Sequence, residues 1–160
     1  MDFTIRDARP SDGEFIARNV LAAMGYDVFP GADSDQRIEI GAVSMGVEEA
    51  VRAFGAICAR PDTLYSFART RIACVDGKAV GSLTAYSGDD YPAVKKLTWS
   101  LLDSVFEGSG FSCSSRQNTS TDEDTSKTTD NNQANASEPE CLPGEFYLDS
   151  MAVLPEFRKM

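Results

Sequence analysis

Two residues in the middle of the chain, Asp76 and Gly77, restrict its fold more than any others. Residues 66–75 carry Phe67, Ile72, Cys74 and Val75, and Val80, Leu83, Ala85 and Tyr86 follow the pair. An Asp-Gly dipeptide between two apolar, strand-forming runs specifies a type I′ hairpin, because both turn residues must take positive φ. The chain therefore contains at least one pair of adjacent antiparallel strands.

Strand and helix patterns alternate around that hairpin. Phe3-Thr4-Ile5-Arg6 alternates apolar and polar residues, as a half-buried strand does, and Pro10 ends it. Ser11 stands three residues before Glu14, the spacing of a capping box, so a helix is expected over about 12–24. Phe15, Ile16, Val20 and Ala23 would share one face, and Gly25 suits the residue after the helix end. Residues 26–45 carry no decisive periodicity. Val47, Val51, Phe54 and Cys58 then repeat at helical spacing and predict a second helix over about 47–59, stopped by Pro61. A third helix is expected over roughly 92–107, with Val94, Leu97, Leu101, Leu102 and Val105 as its apolar face. Residues 145–153 read as a final strand carrying Phe146, Leu148, Met151, Ala152 and Val153. The order predicts an α/β or α+β domain with a mixed, mostly antiparallel sheet and flanking helices.

One segment does not share this patterning. Residues 112–140 contain three apolar side chains, Cys113, Ala134 and Ala136, while six acids face two bases. Such a stretch buries too little surface to offset the entropy of ordering, so it is expected to be a disordered acidic insertion in a single domain spanning 1–160. The closure cost of a long surface loop rises only logarithmically with its length.

Composition excludes several chemistries. With no histidine among the 160 residues, neither a Ser-His-Asp triad, a Cys-His dyad nor a histidine-ligated metal can form. Cys58, Cys74, Cys113 and Cys141 are separated by 16, 39 and 28 residues, which excludes a CxxC zinc or redox motif, and no metal site is expected. The net charge of −10 disfavours nucleic acid and anionic membrane as partners. No basic-then-apolar leader is present, and no apolar run approaches the ~18 residues of a spanning helix. A cytoplasmic setting with four free thiols is the expectation; two disulfides in a secreted protein are the alternative.

The residues also resemble a known family. Ile5-Arg6 through Ala8-Arg9-Pro10-Ser11-Asp12 is similar to the opening strand and helix start of the GNAT-type N-acetyltransferases. Cys74-Val75-Asp76-Gly77-Lys78-Ala79-Val80-Gly81 resembles their central hairpin. Tyr147-Leu148-Asp149-Ser150-Met151-Ala152-Val153-Leu154-Pro155-Glu156-Phe157-Arg158 resembles their fourth strand and the approach to the cofactor loop. The family pattern continues R-x-x-G-x-G/A, whereas only Lys159 and Met160 follow Arg158 here. The resemblance therefore implies the N-terminal part of an acetyltransferase, ending where the pyrophosphate loop begins. The third helix and the acidic segment would be an insertion between two strands.

The resemblance implies a transfer of acetyl from acetyl-CoA to an amine, carried by a small molecule or a peptide. The pantetheine arm would bond the main chain around Met151, Ala152 and Val153, as a peptide adds to a sheet edge. Arg158 and Lys159 would begin the phosphate loop. Strand alternation would put Glu145, Tyr147, Asp149, Met151 and Val153 on one face, making Asp149 and Glu145 the candidate bases. The alternative is a non-catalytic acidic interaction module with the same fold. Either way, an exposed sheet edge would favour association of like chains.

Overall fold

The computed structural model describes residues 1–29, 36–40, 43–106 and 140–159. Its elements are β1 (Phe3–Asp7), α1 (Gly13–Ala23), β2 (Arg37–Ile40), β3 (Val43–Gly46), α2 (Val47–Cys58), β4 (Thr70–Val75), β5 (Lys78–Ser87), α3 (Tyr91–Val105) and β6 (Phe146–Val153). Single 3-10 turns occupy Pro10–Asp12, Phe67–Arg69 and Pro155–Phe157.

Asp76 and Gly77 take φ of 48° and 78°, so the expected hairpin forms and joins β4 to β5. β1 pairs with the other side of β4, and β6 with the other side of β5. The four-stranded sheet thus has the order β1-β4-β5-β6, with every neighbouring pair antiparallel.

Several boundaries differ from the sequence expectation for local reasons. The 66–75 strand begins only at Thr70, because the Ser66 hydroxyl accepts the Ala68 N–H (2.9 Å) and closes a 3-10 turn first. Asp12, rather than Glu14, supplies the reciprocal cap: the Arg9 N–H donates to its Oδ2 at 2.7 Å, while Arg6 grips both carboxylate oxygens at 2.8 Å. The 26–45 stretch holds a small hairpin, β2 with β3, in which Ile38 and Ile40 are buried and Arg37 and Glu39 face outward. The acidic segment up to residue 139, Cys113 included, lies outside the described residues. Cys58, Cys74 and Cys141 are buried free thiols, and burial pushes the Cys58 thiol well up from its usual range.

The helices pack on one side of the sheet. Ile16, Val20, Val51, Phe54, Ile72, Tyr86 and Leu102 belong to one continuous core. α1 and α2 cross at glycines: a Cβ on Gly13 would lie 2.4 Å from the Gly55 carbonyl oxygen, and one on Gly55 would lie 2.8 Å from Glu14 Cγ. α1 also packs against β6, which positions the strand that carries the candidate site.

Candidate functional site

β6 enters the sheet from a tight turn. Pro143 and Gly144, the latter at φ 82°, place the Glu145 N–H on the Leu142 carbonyl oxygen at 3.0 Å. The Glu145 carboxylate accepts the Leu142 N–H (2.9 Å), and the Glu145 carbonyl accepts the Gly88 N–H (2.9 Å). Glu145 thus braces the turn into the strand.

Within the strand the pairing slips. Leu83 faces Met151 and Ala85 faces Leu148, so two residues of β5 span three of β6. The extra residue at Asp149–Ser150 is a β-bulge, and it reverses the alternation beyond it. The shared face expected for Glu145, Tyr147, Asp149, Met151 and Val153 is therefore not formed. Tyr147, opposite the buried Tyr86, and Asp149 lie on the helix-covered side; Met151, opposite Leu83, and Val153, opposite Gly81, lie on the other.

Asp149 is half-buried, and hydroxyls hold both its oxygens. Tyr86 donates to Oδ2 at 2.9 Å and Ser150 donates to Oδ1 at 2.8 Å. Each carboxylate oxygen keeps capacity to accept a further bond. The Tyr86 ring stacks on Tyr91, with centroids 5.3 Å apart and planes 12° from parallel, and Tyr147 leans on Tyr86 at 5.5 Å. The Tyr91 hydroxyl donates to Glu140 Oε2. Burial first, and then the charge and hydrogen bond of Asp149, push the Tyr86 hydroxyl far above its usual range. Tyr91 is raised too, by burial and then by Glu140. Both hydroxyls therefore remain donors at any ordinary pH. Tyr86, Tyr91, Ser150 and Glu140 carry no functional signal in the sequence: Tyr86 falls in the hairpin strand, Ser150 in the final strand and Glu140 at the end of the acidic run, and Tyr91 belongs to no motif.

The outer edge of β6 faces away from the sheet. The Leu154 N–H donates to the Val80 carbonyl (2.8 Å), so by antiparallel alternation the main-chain groups of Met151 and Val153 point outward, while those of Ala152 turn to Ser82 in β5. Of the three residues expected to bind through their main chain, Met151 turns both its N–H and its carbonyl outward and Val153 keeps only its N–H available. Arg158 already uses that edge. Its Nε donates to the Val153 carbonyl at 2.8 Å, and its guanidinium lies 5.8 Å from the Phe29 ring centroid. Lys159 is exposed beside it, at φ 66°. Among the described residues, no group of three or more Cys, Asp or Glu side chains could hold a metal ion. No described helix is long and apolar enough to cross a membrane.

No protein-family model matches the sequence, and no curated protein matches it. Among solved structures, a crystal structure of an acetyltransferase is similar over 98% of this chain, at 26% identity and a TM-score of 0.59. The matched region is 66% of that acetyltransferase, so the chain spans just under two thirds of its length. The crystal structure of an N-acetyltransferase from Staphylococcus aureus Mu50 matches 59% of the chain and 46% of its own length, at 20% identity and a TM-score of 0.43. With four antiparallel strands, helices on one side, and a bulged strand beside the half-buried Asp149, the chain has the fold of the GNAT-type N-acetyltransferases.

Proposed function

We propose that this chain carries the acceptor side of an N-acyltransferase that moves an acetyl group from acetyl-CoA to an amine. The observation that carries the reading is the bulge in β6. It sets a hydroxyl-held carboxylate, Asp149, within two residues of the outward-facing main chain of Met151.

An alkylammonium has a pKa of about 10.4, so it must lose a proton before it can attack. Asp149, directly or through one water, takes that proton. The neutral nitrogen then forms a bond to the thioester carbonyl carbon. An outward N–H of Met151 or Val153 stabilises the resulting oxyanion. The carbon–sulfur bond breaks and the thiolate leaves with the electron pair; the nitrogen, cationic since the attack, gives up its second proton, which passes through water to the thiolate, leaving an amide and the free thiol. The pantetheine amides suit the free edge of β6, and Arg158 and Lys159 bring positive charge to the side where the phosphates would lie. Glu145 serves this reading by bracing the strand entry.

The test is amine-dependent release of thiol from acetyl-CoA by the protein that carries these residues. Asp149→Asn should lower the rate by about 10²-fold or more, the scale of general-base catalysis, with most of the loss at neutral pH. No amine-dependent release, or an unchanged rate in the variant, would overturn the proposal.

A further inference from the structure

β5 carries a hydroxyl on every second residue of its covered face. Ser82, Thr84 and Tyr86 are each buried, and each is tied to a different neighbour. Ser82 accepts from Asn19 in α1, Thr84 meets Thr70 in β4, and Tyr86 donates to Asp149 in β6. The last two bonds link strands of one sheet. The first links the sheet to a helix, and it is made at a cost.

Asn19 stands among Ile16, Ala17, Val20 and Leu21 on the buried side of α1 and is itself 1% exposed. Its amide nitrogen donates to Ser82 Oγ at 2.9 Å, while its Oδ1 is buried with no partner among the described residues. A buried, unpaired acceptor subtracts from stability, so an apolar side chain of the same shape would hold the helix to the sheet at least as well. What the amide adds is direction. A leucine can slide along an apolar surface; a donor fixed on one hydroxyl cannot. A single buried asparagine sets pairing register in helical assemblies in the same way, with a loss of stability.

The register that matters here is that of β6. Ser82 pairs with Ala152, next to Leu83–Met151, the last regular pair before the slip that makes the bulge. α1 packs on both β5 and β6, so fixing it on Ser82 fixes where it presses on β6. One residue of slip there would turn Asp149 to the open face and carry the Met151 N–H out of place. We propose that Asn19 is a positioning residue: through Ser82 it locks α1 over the β5–β6 pair and keeps the bulge at Asp149–Ser150. Its effect on the reaction rests on the acyltransferase reading; its effect on register does not.

The double variant Asn19→Leu with Ser82→Ala removes both polar partners and leaves no orphan, and Asn19→Leu alone is the second variant. In urea denaturation the double variant should be at least as stable as the wild type. Its Ala152 amide, which faces Ser82, should exchange its hydrogen about tenfold faster or more, with the Phe54 amide in α2 no faster than in the wild type. In amine-dependent release of thiol from acetyl-CoA, kcat should fall about tenfold or more while KM for acetyl-CoA holds within about twofold. Thr70→Val with Thr84→Val, which removes the neighbouring hydroxyl pair, should leave Ala152 exchange at its wild-type rate. Wild-type exchange at Ala152 in both Asn19 variants would overturn the role, since the amide would then fix nothing. Equal acceleration at Ala152 and Phe54 would overturn it too, since the amide would then only stabilise the fold. Faster exchange at Ala152 in a protein that releases no thiol would leave the role standing and remove the transferase reading. Thiol release by the wild type, with Ala152 exchange unmoved in either variant, would do the reverse.

Discussion

The two faces of the four-stranded sheet are built from the same strands, yet only one is covered. On the helix side, Ile72, Val80 and Tyr86 are buried beneath α1, α2 and α3, and hydrogen bonds link polar side chains there: the Thr70 and Thr84 hydroxyls meet at 2.9 Å, and the Asn19 amide nitrogen donates to Ser82 at 2.9 Å, while the Asn19 Oδ1 is buried with no partner among the described residues. On the other side Phe3, Ile5, Phe146, Leu148 and Met151 are each at least 61% exposed. Between them Ile5, Ala73, Gly81, Leu83, Met151 and Val153 line an apolar depression of about 280 Å³. Water drives apolar surface together wherever it can, so a contiguous patch of this kind marks a surface made to be covered. The covered face is where energy is stored; the open face is where contacts remain to be made.

Substitutions on the two faces should separate the roles. The largest effect is expected from Phe54→Ala on the covered side, a loss of about 3–5 kcal/mol, against about 0.5 kcal/mol or less for Leu148→Ala on the open side. Urea denaturation of both variants measures the difference, and equal losses would mean that the open face is packed in solution. Gly55→Ala tests the helix layer that makes the covered face. Its new methyl would press on Glu14 Cγ and Cα, and should cost about 1–3 kcal/mol in the same measurement.

The edge of that layer brings in pH. The Arg6 hydrogen bonds, helped by the Arg9 N–H, hold the Asp12 carboxyl below its ordinary range. A carboxyl depressed by folding stabilises the protein above its unfolded pKa of about 3.9, and that contribution is lost as pH falls through the lower folded value. Asp12→Asn should therefore cost about 1 kcal/mol at neutral pH, since the pair is partly solvated, and flatten the acid limb of the stability curve. An acid limb identical to wild type would assign that titration to other groups.

The smallest change in folding stability is expected on the open face, where the change in association should be greatest. We expect the wild-type chain to form larger species as its concentration rises, and Leu148→Asp with Met151→Asp to remain a monomer in sedimentation. A wild-type chain that stays monomeric at every concentration would show that this face is not self-adhesive.

Much of the scaffold was legible because its signals are local. The Asp76-Gly77 turn, the helical repeat of Val47, Val51, Phe54 and Cys58, and Gly25 after α1 each depend on neighbours along the chain, and each stands where expected. The β2–β3 hairpin is weakly signalled although Arg37-Ile38-Glu39-Ile40 alternates, because four residues carry little weight beside Pro30 and Gly31. Asp149 was legible as a candidate; its surroundings were not. The bulge depends on how β6 registers against β5, and a slip of one residue turns a side chain to the opposite face.

By itself the sequence determined the hairpin, the three helices, the absence of histidine chemistry and the strand that bears Asp149. The tertiary structure alone decided which side of the sheet Asp149 faces, and that Tyr86 and Tyr91 stack to hold two carboxylates. Those contacts join residues 63 and 49 positions apart. Periodicity and turn chemistry act over a few residues, whereas pairing register and side-chain clustering arise only when distant segments share one core.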